Sequence, residues 1–237
     1  MKVITVASTR GGVGKTTLTA NLAFAFAGKK KRVLVLDLDS QASLTDYFLR
    51  LVSVDEIMRA NAYHVLSERI SAAEAIRKDD LFVHVLPGSV KLHTLGAEMA
   101  GEPGALIRTV KELRALPYDV LVIDTPPGLS YEFRVGIYAA DLVLSPVTLD
   151  RWAVQGLSLL QNEMTKAQKS GVKQTLKVVP SIVTEKEAAG LVEILSSVKV
   201  TPPILKSAAV KTAMNKGAKL KEAHKSAQQF AAVAEAL

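Results

Sequence analysis

With 237 residues, nearly half of them hydrophobic, the chain has the length of one sizeable α/β domain and no stretch polar enough to resist folding. The lack of cysteine excludes a disulfide framework, a thiolate zinc site, a cysteine nucleophile and a cysteine-held iron–sulfur cluster, and no apolar run approaches the roughly 20 residues of a membrane-spanning helix. The formal net charge of +7 is unevenly spread: between Lys166 and Lys225 stand 12 Lys and 4 acidic residues, an excess of +8, which predicts a polyanionic partner, either nucleic acid or an acidic membrane surface.

In chain order, β-branched apolar runs at 3–7, 32–36, 82–86, 120–123, 142–147 and 176–179 are expected to be buried parallel strands. Helical periodicity fills 16–27, 103–115, 151–169 and the stretch from Ser207 to Leu237, whose Ala-rich end is expected to pack on the sheet. This alternation predicts one α/β domain over 1–237, a doubly wound, mostly parallel sheet with helices on both faces. Gly28 reads as a helix C-cap, so the basic run 29–32 is a solvated turn. The start of the chain has neither the basic entry nor the long apolar core of a signal peptide, which predicts a cytoplasmic protein.

The first strand runs into Ser8-Thr9-Arg10-Gly11-Gly12-Val13-Gly14-Lys15-Thr16-Thr17 and then into a helix, the context a phosphate-binding loop requires. Glycines 11, 12 and 14 let backbone N–H groups turn inward, and the helix N-terminus adds a favourable dipole. Lys15 then reaches the β and γ phosphates, Thr16 supplies a hydroxyl for Mg²⁺, and Thr17 donates to the α phosphate. Thr9 stands where a generic Walker A loop has its first glycine. At 32–45, Asp37 and Asp39 close a buried strand at its carboxyl edge, where open α/β sheets bind ligands. At 118–130, a hydrophobic strand ends in Asp124, a Walker B carboxylate for Mg²⁺, followed by Thr125-Pro126-Pro127-Gly128 as a movable switch.

Together these motifs resemble the ParA/MinD family of deviant Walker A P-loop ATPases, and segments 140–157 and 82–89 extend the resemblance over nearly the whole chain. The resemblance implies ATP and Mg²⁺ as cofactors, an ATP-bound homodimer, and Asp39 orienting the attacking water with Asp37 supporting the magnesium shell. Arg10 occupies the place of the family's signature lysine, which reaches across the dimer to the partner's nucleotide; arginine keeps the charge but brings a planar fork. Ser40 and Ala42 replace the usual Pro and Gly of the first switch. Residues 180–185 lack the family's familiar adenine-contacting wording, so base recognition stays unassigned. Trp152 reads as a packed core or interface residue rather than an adenine platform. His64, His84, His93 and His224 form no metal-ligand spacing.

Residues 202–225 resemble the segment after the last strand of ParA proteins. Lys206, Lys211, Lys216, Lys219 and Lys221 are expected to contact DNA phosphates without reading bases, since no Arg, Asn or Gln cluster accompanies them. The expected function is a partitioning or positioning ATPase associated with the nucleoid, reset by a ParB-like or cargo-bound partner, with a plasmid, a chromosome or a carboxysome-like compartment as cargo. A MinD-like membrane role is the alternative. It is disfavoured because the final segment has one aromatic and no basic residue, so no stable membrane anchor is expected. Strand one starts the chain, leaving no N-terminal helix-turn-helix and no expectation of operator-specific binding.

Overall fold

A computed structural model describes residues 1–78, 83–102 and 104–237. Its elements are β1 (Lys2–Val6), α1 (Lys15–Gly28), β2 (Val33–Asp37), α2 (Ser43–Phe48), α3 (Val54–Arg59), α4 (Ala62–Leu66), α5 (Ala72–Ala75), β3 (Arg77–Lys78), β4 (His84–Leu86), α6 (Leu92–Glu98) and α7 (Ala105–Ala115). There follow β5 (Val120–Asp124), α8 (Tyr131–Ala139), β6 (Leu142–Val147), α9 (Ala153–Lys169), β7 (Thr175–Val183), α10 (Glu185–Ile194), β8 (Lys199–Val200), β9 (Ile204–Leu205), α11 (Ala208–Lys216) and α12 (Lys225–Glu235).

Among the described residues, nine strands form a sheet of order β3-β4-β2-β5-β1-β6-β7-β8, with β9 beside β7. All these pairings are parallel except β3 with β4, where the charged two-residue strand Arg77–Lys78 closes the edge. Successive strand residues point to opposite faces, and both faces are apolar because both are covered. Ile4, Val6, Val33 and Val35 pack with α1, α2 and α12. Val3, Leu34 and Leu36 pack with α4 to α8, and Val143 and Val178 with α8 to α10. Helix α1 is buried on most of its surface because α12 covers its outer side with Phe230 and Val233.

The expected strands are present, with β7 running on to Val183 past Pro180. Of the run 82–86, Phe82 lies outside the described residues, as does Pro103 of the helix expected at 103–115. The last helix departs from expectation. It is broken after Lys216 by Gly217, left-handed at φ 61°, whose N–H and that of Ala218 are taken by Met214 and Ala213 carbonyls, a helix-terminating geometry. The terminator of α1 also differs: Gly28 is its last helical residue and Lys30 takes the left-handed turn, at φ 58°.

Candidate nucleotide site

The strand order places β1, β5 and β2 side by side, and register sets Asp124 opposite both Val6 and Asp37. The phosphate loop, both switches and the two buried carboxylates therefore converge at one sheet edge. Gly12 and Gly14 adopt φ of 75° and 88°, a conformation that presents consecutive N–H groups to a concave space. A Cβ on Gly14 would stand 3.0 Å from Ser181 Oγ and 3.4 Å from Ile182, so the loop is also pressed against the end of β7. Thr9 accepts the Gly128 N–H through its carbonyl at 3.1 Å and donates its hydroxyl to the Gly156 carbonyl at 3.3 Å. The side chain at this position, where the generic loop has glycine, thus ties the phosphate loop to α9, while its backbone carbonyl holds the turn at Gly128.

Thr16 Oγ1 donates to Asp124 Oδ2 at 2.7 Å, and Thr19 Oγ1 lies 3.4 Å from Asp124 Oδ1. Asp37 receives the Asp39 N–H at 3.1 Å, the Thr45 N–H at 2.9 Å and the Thr45 hydroxyl at 2.7 Å. Thr45 Oγ1 in turn accepts the Gly88 N–H at 2.8 Å. Asp37 thus holds the first switch in shape. Both carboxylates are fully buried, and burial pushes their pKa values up, reinforced for Asp124 by the neighbouring Asp37 charge and opposed by the Thr16 and Thr45 hydrogen bonds. Two desolvated acids side by side resist ionising together, and a divalent cation would relieve that resistance by taking the place of the retained proton. Among the described residues no group of three His, Asp or Glu forms a cage. The donor set, one hydroxyl and one or two carboxylates, suits Mg²⁺ completed by nucleotide phosphates and water.

Lys15 is buried, which lowers its pKa against the pull of Asp124 and Asp39; its Nζ donates to the Arg10 carbonyl at 2.8 Å. Asp39 is half-buried and accepts the Gln41 N–H at 2.9 Å, which fixes its carboxylate at the mouth of the site. Arg10 turns away from the phosphate loop and pairs with Asp150. Asp150 is itself held by the Thr148 hydroxyl at 2.7 Å and the Trp152 N–H at 2.8 Å. Burial tends to raise the Asp150 pKa, but these hydrogen bonds and the Arg10 charge outweigh it and hold the carboxyl below its usual value. Trp152 is about half exposed (49%), with the Arg151 guanidinium 4.7 Å from its ring centre, so it is not a core residue.

A cavity of about 800 Å³ lies over Gly11, Gly12, Gly14, Lys15, Thr16, Thr17 and Asp39, closed by α2, Pro127, Ile182, Met214 and Asn215. A second, of about 350 Å³, adjoins it beyond Ile182, floored by Leu18, Ile204 and Phe230, with Lys206 and Lys211 at its lining. Val13 is buried beneath the loop. Of the basic residues expected at DNA, Lys206 pairs with Glu187 at 3.5 Å and Lys219 with Glu222 at 3.2 Å, while exposed Lys211 and Lys216 ride on α11 and Lys221 follows in the loop before α12. Sequence reasoning did not single out Thr45, Gly88, Asp150, Met214 or Asn215. Thr45 ends the first switch motif and Asp150 sits within the quoted segment 140–157, but their partners lie far along the chain.

This fold and site define a P-loop nucleotide-binding domain. The model of a family described as AAA domain matches residues 1–178, and similarity to individual proteins agrees. The sporulation initiation inhibitor protein Soj of Bacillus subtilis is 32% identical over 71% of this chain and 66% of its own length. A plasmid partition protein of Borrelia burgdorferi bound to AMPPNP superposes with TM-score 0.83 at 26% identity, over 99% of this chain and 97% of the other. Apo McdA from Cyanothece superposes at 0.86 with 25% identity, over 100% and 99% of the two chains. The chain belongs to the ParA/MinD family of P-loop ATPases.

Proposed function

We propose that this ParA/MinD ATPase positions a cargo by ATP-controlled binding to DNA. Mg·ATP closes two copies face to face, the dimer holds DNA without sequence preference, and slow hydrolysis, stimulated by a ParB-like or cargo-bound partner, returns the monomer. The single observation that carries this reading is the convergence of Lys15, the Thr16–Asp124 pair and Asp39 on one cavity whose far wall, Met214 and Asn215, belongs to the lysine-bearing helix α11.

Thr16 and Asp124 would hold Mg²⁺, with Asp37 behind them; the ion neutralises charge on the β and γ phosphates. Lys15 exchanges its carbonyl partner for phosphate oxygens, and Asp39 accepts a hydrogen bond from the attacking water, orienting it. The apolar cavity beyond Ile182, walled by Met214 and the β9 segment, would receive the base. Arg10 acts on the partner's nucleotide after leaving Asp150. Exposed Leu149, Trp152 and Val154 beside that ion pair offer the apolar surface such a closure buries.

Lys211, Lys216 and Lys221 have no carboxylate partner among the described residues and form the core of the DNA face; Lys206 and Lys219 join them by exchanging the half-buried Glu187 and the exposed Glu222, pairs worth only about 0–1 kcal/mol, for phosphates. The apolar side of α12 is packed against α1, which favours DNA over an acidic membrane as the polyanion and a cytoplasmic, nucleoid-bound location. A plasmid, a chromosome or a protein compartment fits the reading as cargo. Coupling requires that the ATP dimer bind DNA more tightly than the monomer does. Lys15→Ala is expected to abolish ATP-dependent retention on duplex DNA of arbitrary sequence; undiminished retention refutes the reading.

A further inference from the structure

Helix α11 has two occupations that its sequence does not announce. Its last turn lines the nucleotide cavity through Met214 and Asn215, while Lys211 and Lys216 on the same helix are exposed. The turn that follows is fastened to α2. Arg50, just past the end of α2, donates through Nη1 to the Asn215 carbonyl and through Nη2 to Asp46, both at 2.9 Å. Tyr47 donates its hydroxyl to the Ala218 carbonyl at 2.8 Å. Gly217 is pressed so closely between these two residues that an added Cβ would lie 3.1 Å from the Tyr47 carbonyl oxygen and 3.4 Å from the Arg50 guanidinium. At its other end α2 is bonded to the magnesium region, because Thr45 gives both its N–H and its hydroxyl to Asp37.

A continuous series of short hydrogen bonds therefore runs from Asp37 through one short helix to the turn carrying Lys216, Lys219 and Lys221. The Arg50–Asp46 ion pair is largely solvent-exposed and adds little energy; what matters is that Arg50 and Tyr47 grip backbone carbonyls on either side of Gly217, at Asn215 in the last turn of α11 and at Ala218 beyond it. We infer that α2 is a lever by which nucleotide and metal at Asp37 and Asp39 set the position of the lysine-bearing turn within a single protomer, with Tyr47 and Arg50 as positioning residues. This rests on the DNA-binding ATPase reading and adds to it a contribution to ATP control that does not depend on the dimer interface. Its energetic basis is that the nucleotide binds one arrangement of α2 and the turn more tightly than others.

The test uses the full chain and a double variant, Tyr47→Phe with Arg50→Lys. The phenylalanine keeps the ring that packs edge-on to Phe48 at 5.0 Å, and the lysine keeps the charge but loses the fork. Hydrogen exchange is followed with saturating Mg·AMPPNP and no DNA, with sedimentation velocity on the same samples. In the unaltered protein, amides 216–221 are expected to gain protection together with those of the phosphate loop; in the double variant the loop still responds and 216–221 do not, at unchanged dimer mass. Affinity for duplex DNA with AMPPNP then falls about tenfold, within the usual range of coupling between sites. The lever is overturned if 216–221 respond equally in both proteins, if they fail to respond in the unaltered protein while the phosphate loop does, or if lost protection follows lost dimer. A phosphate loop that ignores AMPPNP in the unaltered protein overturns the ATPase reading and the lever with it. Normal nucleotide response of 216–221 without any DNA binding removes only the DNA reading.

Discussion

Asp150→Asn tests whether Arg10 is held back in its own protomer. The Arg10–Asp150 pair has side chains 36% and 31% exposed, so it lies between a surface pair and a buried one and is worth about 1 kcal/mol. Asparagine is isosteric: its Oδ1 still accepts the Trp152 N–H, and its Nδ2–H₂ donates to the Thr148 hydroxyl oxygen, so the entry to α9 is preserved while the charge that competes for Arg10 is removed. Each protomer of a closed dimer must release its own Arg10, which makes the saving about 2 kcal/mol per dimer, or roughly 30-fold in the dimer dissociation constant. Sedimentation equilibrium across a concentration series with Mg·AMPPNP measures that constant. The variant is expected to dimerise more tightly at lower protein concentration, with the effect shrinking in high salt. Equal or weaker dimerisation would show that Arg10 has no partner to reach, or that Asp150 itself serves the closed state, and either outcome refutes the reasoning.

Further outcomes follow from the same site. Ala42 sits in the left-handed region, at φ 51°, where the family's usual glycine is at ease. Ala42→Gly relieves about 1–2 kcal/mol of strain but adds chain entropy to the unfolded state, leaving a net gain of about 0.5–1 kcal/mol; calorimetry should show a rise of about 1–4 °C, and a fall contradicts the strain argument. Gly88→Ala places a Cβ 2.9 Å from the Asp37 carbonyl oxygen and 3.0 Å from its Cγ, which should cost about 1–3 kcal/mol in urea unfolding and weaken Mg·ATP binding. Asp37 and Asp124 keep protons in the native state that the unfolded chain releases near pH 4, so the native state binds more protons above about pH 4. Stability of the nucleotide-free protein should therefore fall as pH rises from about 5 through neutrality, where the surface carboxylates are already ionised; Asp124→Asn should flatten the fall, and an unchanged profile would count against the buried-acid argument.

The phosphate loop, Asp39 and Asp124 were legible in the chain because each is local: a strand, a turn and the start of a helix bring their own chemistry with them. The alternation of strand and helix likewise made the doubly wound sheet readable, since a strand covered on both faces must be apolar along its length. What escaped is long-range. The Arg10–Asp150 pair joins residues 140 apart, and the α2 contacts to the turn after α11 join residues 165 and 171 apart, separations that no local pattern encodes. The break at Gly217 had a signal, a glycine near the end of a periodic run, overruled by the apparent continuity of alanines and lysines. β7 continues past Pro180, where a proline would ordinarily end a strand, because it goes on to pair with β9 across an irregular register at Ser181 and Val183.

That irregularity leaves Ile182 left-handed, at φ 58°, an outlier for a β-branched residue that costs on the order of 1–3 kcal/mol. Its side chain lines both chambers, one of about 800 Å³ and one of about 350 Å³, together with Gly14, Thr17, Met214 and Asn215. Backbone preference at this position favours glycine, which would widen the passage between them. A strained side chain thus narrows the opening between the polar chamber over the phosphate loop and the apolar one behind it.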